Sequence, residues 1–284
     1  MTATDAPAES PPTDSPERKQ RRRALLFNSV LAAFAGLTAM IMVHEFVHLV
    51  AGAALGFPST MVAFAVDHVG SPTPVEYAIM ALSAPAFSLV SGLAMTFWLP
   101  FRRRGGFPHL LWLFFAFCST QEGVTYLVIT PFGVGDTGSS MQVLGAPVWV
   151  SILLCLIGVG GMFLNARLFA PHLIRHAGTE TGDRNALGLF AWLFGMLLQT
   201  AFTFLYLTVA AVDLPPGDQI AVIMASMGVL VFAPMANIFA RVKGVADQPY
   251  EPLTLPRIPV AGLVVSGVLV VTNIVLCVVG LTLG

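Results

Sequence analysis

Residues 24–55 read ALLFNSVLAAFAGLTAMIMVHEFVHLVAGAAL. A helix of about 20 apolar residues crosses a bilayer, and this run exceeds that length. Its ionisable groups all fall in one stretch, His44-Glu45-Phe46-Val47-His48. Histidines at i and i+4 lie about one helical turn apart on the same face. That spacing lets two imidazoles grip one Zn²⁺, and the glutamate between them is placed to take a proton from an activated water. Ionisable groups inside a membrane span are costly and mark function.

The rest of the chain fits a membrane protein. Hydrophobic residues make up 56% and charged residues only 10%, with mean hydropathy +0.81. A soluble domain carries about a quarter charged residues. Cys118, Cys155 and Cys277 all fall in apolar runs, so they form no disulfide framework and no paired zinc spacing. The basic clusters are short and sit at the ends of spans, so nucleic acid is not an expected partner.

Residues 1–17 are rich in Pro, Ser, Thr, Ala and acids, and residues 1–23 read as a disordered cytoplasmic tail with a basic stretch. A secretory signal also starts basic, but its apolar core is only about 7–15 residues. Seven spans are expected, near 24–55, 75–101, 107–130, 146–168, 187–211, 219–240 and 258–283. The fold class is all-α polytopic, with residues 24–145 as a metal-bearing core. Residues 146–284 supply four further helices as scaffold or substrate guide.

Lys and Arg prefer the cytoplasmic side. With the N-terminus inside, the successive inner segments hold five, three, three, two and one of them, which accounts for all 14. The expected location is therefore a bacterial cytoplasmic membrane, with the N-terminus cytoplasmic and the C-terminus outside.

After the first span, Thr60-Met61-Val62-Ala63-Phe64-Ala65-Val66 is β-prone and is broken by Gly70, Pro72 and Pro74. It reads equally as a short β-hairpin or an interfacial loop. As a strand, its edge could hold an extended peptide, with Thr60, Val62 and Phe64 as contacts. The second span contains Ser83-Ala84-Pro85-Ala86-Phe87-Ser88, where proline removes a helix hydrogen bond. The third span holds Glu122 and runs into Gly133-Val134-Gly135-Asp136.

A catalytic zinc takes three protein ligands and keeps one open position. His44 and His48 supply two. His44 lies 20 residues after Ala24, or ~30 Å along the helix, which brings it towards the outer side. Asp136 lies at the outer end of its span and is the first choice for third ligand. Glu122 is the alternative ligand, or a partner that orients a histidine. Other readings of the same residues are a buried polar network, a metal-transport or storage site, and Asp136 as a turn or cap residue. His68 reads as solvated. His172 and His176 are also spaced i, i+4 but lack the glutamate, and with His109 they read as interfacial. Gly133–Asp136 and Asp136-Thr137-Gly138-Ser139-Ser140 look like aspartyl-protease motifs. That chemistry needs a second carboxylate, and no other Asp lies in a span.

Together these elements resemble the site-2 protease family of intramembrane zinc metalloproteases. The likeness rests on His44-Glu45-Phe46-Val47-His48, the strand-prone Thr60–Val66, Ala84-Pro85-Ala86-Phe87-Ser88 and Asp136-Thr137-Gly138. Val47, Ser88 and Thr137 stand where the family often has Gly, Asn and Gly. The resemblance implies Zn²⁺ held by His44, His48 and Asp136, with Glu45 as general base. It also implies a transmembrane protein or peptide substrate, unwound and cut within the bilayer. The rival from another class is a non-catalytic metal-binding or metal-transporting membrane protein.

Overall fold

A single helix, α1 (Pro16–Ala54), runs through the middle of the molecule. Its start is built by sequence: Ser15 Oγ accepts from the Arg18 amide at 3.2 Å, Pro16 opens the first turn, and Glu17 complements the helix dipole. At 39 residues it is about 58 Å long, well beyond the ~30 Å hydrocarbon layer. Its basic first two turns therefore project past the apolar part. The computed structural model describes residues 15–97, 105–210, 219, 220, 222, 223, 226, 227 and 233–284. Residues 16–23 are helical, so the expected tail gives way to helix at Pro16; residues 1–14 lie outside the described set.

Against α1 pack α2 (Pro74–Phe97), α3 (Gly106–Ile129), α6 (Thr181–Leu187), α7 (Leu189–Val209) and α8 (Val260–Val279), while α4 (Gly135–Val143) packs on α2 and α5 (Val148–Ala177) on α3. Six helical segments among the described residues are long and apolar enough to cross a membrane. The chain is an all-α polytopic membrane protein carrying one small sheet. The span expected near 219–240 falls largely outside the described residues. Two expected boundaries move. Helix α5 continues past 168 to Ala177, carrying Arg167 and Arg175 inside it. Helix α8 stops at Val279 because Gly280 takes φ +72°, and Leu281–Leu283 then forms a strand.

Helices α2 and α3 touch through glycines. A Cβ on Gly92 would lie 2.4 Å from the Thr120 amide nitrogen, and one on Gly123 would lie 2.6 Å from Leu89 Cβ. Small residues at such crossings let helix backbones approach in a membrane, where packing drives association. Gly92→Ala should therefore force α2 off α3. Its expected cost is about 1–3 kcal/mol, typical of overpacking, and would be read as a lowered thermal midpoint in detergent.

The sheet has strand order β2–β1–β3, all antiparallel: β1 (Ser59–Val62), β2 (Ala65–His68) and β3 (Leu281–Leu283). Met61 opposes Val66 on one side and Leu281 on the other. The β-prone stretch is thus a hairpin, but β1 is not open to a peptide. Its second edge is taken by the end of the chain, and Thr60 Oγ1 meets Thr282 Oγ1 at 3.0 Å. Val62 is buried, and Phe64 packs against the small cluster of Ala63, Tyr206 and Cys277. These apolar side chains serve packing, which corrects their expected role as substrate contacts. Among the described residues, β2 keeps an outer edge.

The basic residues of α1 gather at the other end of the molecule. Arg21 and Arg22 both reach the buried Asp183 carboxylate, at 2.5 and 2.7 Å, and Arg18 pairs with Glu180 at 3.0 Å.

Candidate metal centre

His44 and His48 lie on the buried face of α1, two turns before its end. Both rings have their roles fixed by what touches Nδ1. The Met80 carbonyl lies 2.9 Å from His48 Nδ1, and the Glu122 carboxylate lies 2.9 Å from His44 Nδ1. Carbonyls and carboxylates only accept, so each Nδ1 donates its hydrogen. Each Nε2 therefore turns a lone pair towards the same point. Second partners that orient the ligating ring in this way are a mark of metal sites.

The Met80 carbonyl on α2 also accepts from Ser83 Oγ at 2.7 Å. Helix α2 continues through Pro85. Ser88, one turn beyond Ala84, places Oγ 3.4 Å from His44 Nδ1. It is buried and supports the His44 ring.

Asp136 arrives from the other side of the site. Gly133 and Gly135 take φ +68° and +67°, which lets the chain reverse between α3 and α4. Thr137 Oγ1 then donates to the Tyr126 carbonyl at 2.5 Å and meets Thr130 Oγ1 at 2.8 Å, locking the first turn of α4 against α3. Asp136 occupies that first turn, where the helix dipole favours a carboxylate. Its Oδ2 lies 3.2 Å from both His44 Nε2 and His48 Nε2.

Three donor atoms thus form a near-regular triangle, since the two Nε2 atoms are 3.1 Å apart. Donors at about 2.0–2.1 Å from a tetrahedral Zn²⁺ are about 3.3 Å from one another, so the set fits that ion closely. Charge points the same way. Glu45, Glu122 and Asp136 all interact electrostatically around the two imidazoles. Carboxylates inside an apolar bundle are stable only when a cation or hydrogen bonds compensate them.

Compared with known proteins, this chain matches no family model, no curated protein and no solved structure. The reading of the site therefore rests on its own geometry.

The structure brings His44, His48 and Asp136 to one point and sets Glu122 behind His44, on the opposite ring nitrogen. Glu45 follows His44 in the same turn of α1 and interacts electrostatically with His44, His48 and Asp136. Glu122→Gln should lower the affinity for added zinc by roughly 10–100-fold, as loss of an outer partner does. Competition against a chelating dye would measure it.

Two residues were not anticipated. The Tyr126 ring stacks on His44, with centroids 5.4 Å apart and planes 5° from parallel, and its hydroxyl is 3.4 Å from His44 Nε2. It lies at i+4 from Glu122, so the same face of α3 carries both; that spacing was the available signal. His68 is half-buried and shares a 2.7 Å hydrogen bond with Ser59 Oγ, contrary to the expected solvated loop. Gly52 of α1 makes room for it, because a Cβ there would come within 2.4 Å of both groups. Burial and the neighbouring His48 hold the His68 imidazole below its usual range.

Proposed function

We propose that the chain is an intramembrane zinc metalloprotease of the site-2 protease type, hydrolysing peptide bonds of membrane-embedded substrates. The observation that carries this reading is the convergence of His44 Nε2, His48 Nε2 and Asp136 Oδ2 at 3.1–3.2 Å beside Glu45. The N-terminus would be cytoplasmic and the C-terminus outside, in a bacterial cytoplasmic membrane.

When bound, Zn²⁺ polarises the scissile carbonyl and lowers the pKa of water nearby. The protein's own groups do the rest. His44, His48 and Asp136 would hold the ion, while Glu122 and the Met80 carbonyl keep both rings in the Nδ1–H form. Glu45 takes a proton from the attacking water as the carbon–oxygen bond forms. The Tyr126 hydroxyl is positioned to donate to the developing oxyanion. Glu45 then passes the proton to the leaving amine as the carbon–nitrogen bond breaks. A helical substrate hides its carbonyls in hydrogen bonds, so it must unwind locally. The outer edge of β2 can receive the unwound segment by strand addition.

The test is cleavage of tagged single-span reporter proteins in vesicles containing the purified chain. Chelation should stop cleavage, and stoichiometric zinc should restore it. Cleavage that continues in metal-free protein would refute the proposal.

A further inference from the structure

We infer that the protein holds a second transition-metal site, built by His109, His172 and His176 at the end of the bundle opposite the candidate protease centre. In the sequence these histidines read as interfacial. The structure instead buries His109 and His176, at 1% and 6% exposure, with His172 half-buried beside them. One donor atom from each lies within 4.8 Å of the other two.

The pairing inside the cluster resembles that of the first centre. His109 Nε2 and His176 Nε2 are 3.1 Å apart, with ring planes 81° from parallel. For His44 and His48 the same quantities are 3.1 Å and 83°. His176 Nδ1 donates to the Glu251 carbonyl at 2.9 Å, which leaves its Nε2 lone pair facing His109. Two imidazole donors at this separation suit a shared ion, whose tetrahedral ligands stand about 3.3 Å apart. His172 completes the set by turning its ring inwards from one helical turn before His176. Three imidazoles without thiolate select a borderline divalent ion such as Zn²⁺.

The two sites are separate. His109 lies 13 residues before Glu122 on α3, or about 20 Å along the axis. No glutamate accompanies the second trio in the manner of Glu45, so it is a clamp and not a hydrolytic centre. It ties α3 to α5 and to the segment at Glu251, whose amide also donates to the Arg175 carbonyl at 2.7 Å.

Metal-stripped full-length protein in detergent, titrated with Zn²⁺ and analysed for bound metal, should take up two equivalents per chain. His109→Ala and His176→Ala should each reduce this to one, and so should His44→Ala. One equivalent in the wild type that His44→Ala abolishes, or two equivalents that neither the His109 nor the His176 variant lowers, would overturn the second site. If instead His44→Ala leaves the count unchanged while His176→Ala lowers it, the second site stands and the proposed protease centre fails. A readout that needs no histidine variant comes from Trp112. Its ring centroid is 5.6 Å from His109 and 6.1 Å from His172. Binding of Cu²⁺ should therefore quench a component of tryptophan emission that Trp112→Phe removes. Equal quenching in both proteins would mean an imidazole–imidazole hydrogen bond only.

Discussion

Glu45→Gln should abolish cleavage of a transmembrane reporter while leaving zinc content unchanged. The amide is nearly isosteric and keeps the polarity of the site, but it cannot take a proton from water. General acid–base groups contribute about 10²–10⁴-fold, and Glu45 is asked to serve in both directions, so a loss of about 10³-fold or more is expected. Zinc should stay because Glu45 is not among the three converging donors. Rate and bound metal must be measured on the same preparation. Retained cleavage with zinc still bound would remove Glu45 from the role of base.

The second large effect concerns Asp136. Its Oδ2 closes the donor triangle at 3.2 Å from each histidine, and it is the only donor not supplied by α1. Asp136→Ala leaves two imidazoles, which cannot make a three-ligand site. Zinc affinity should fall on the order of 10³-fold, beyond the 10–100-fold typical of outer partners, and cleavage should fall to background. The fold should survive, because Thr137, not Asp136, fastens α4 to α3. Metal analysis after dialysis against a weak chelator would decide it. Unchanged zinc at the first centre would transfer the third-ligand role to Glu122.

The contrast between these two carboxylates and Glu122 shows how far the sequence could be read. The metal motif and the run around it were plain, because i, i+4 spacing in an apolar helix needs no tertiary information. Asp136 could be reached from depth alone, since it follows the third span at the same end. What depth could not give was which nitrogen each carboxylate faces. Glu122 sits on the Nδ1 side of His44 and Asp136 on the Nε2 side, and that depends on the rotation of α3 against α1, which approach closely at Gly36, where a Cβ would lie 2.9 Å from the Phe115 amide nitrogen.

The hairpin was legible from β-prone residues and the breakers after them. Its third strand was not, because Leu281–Leu283 continues an apolar helix in composition and only the conformation of Gly280 ends that helix. The consequence was a misplaced edge: Thr60 and Val62 are paired or buried, and the open edge lies at β2. His172 and His176 looked interfacial because the nearest charge in sequence is Arg175. Their partner His109 comes from a helix more than sixty residues earlier, and no local pattern announces it.

The most direct test of the central claim is an anomalous difference map at the zinc absorption edge, from crystals of the purified protein grown with zinc. A peak about 2.0–2.2 Å from His44 Nε2, His48 Nε2 and Asp136 Oδ2, absent in crystals of the Asp136→Ala variant, is the predicted result. Zinc-loaded crystals with no peak among those three atoms would contradict it.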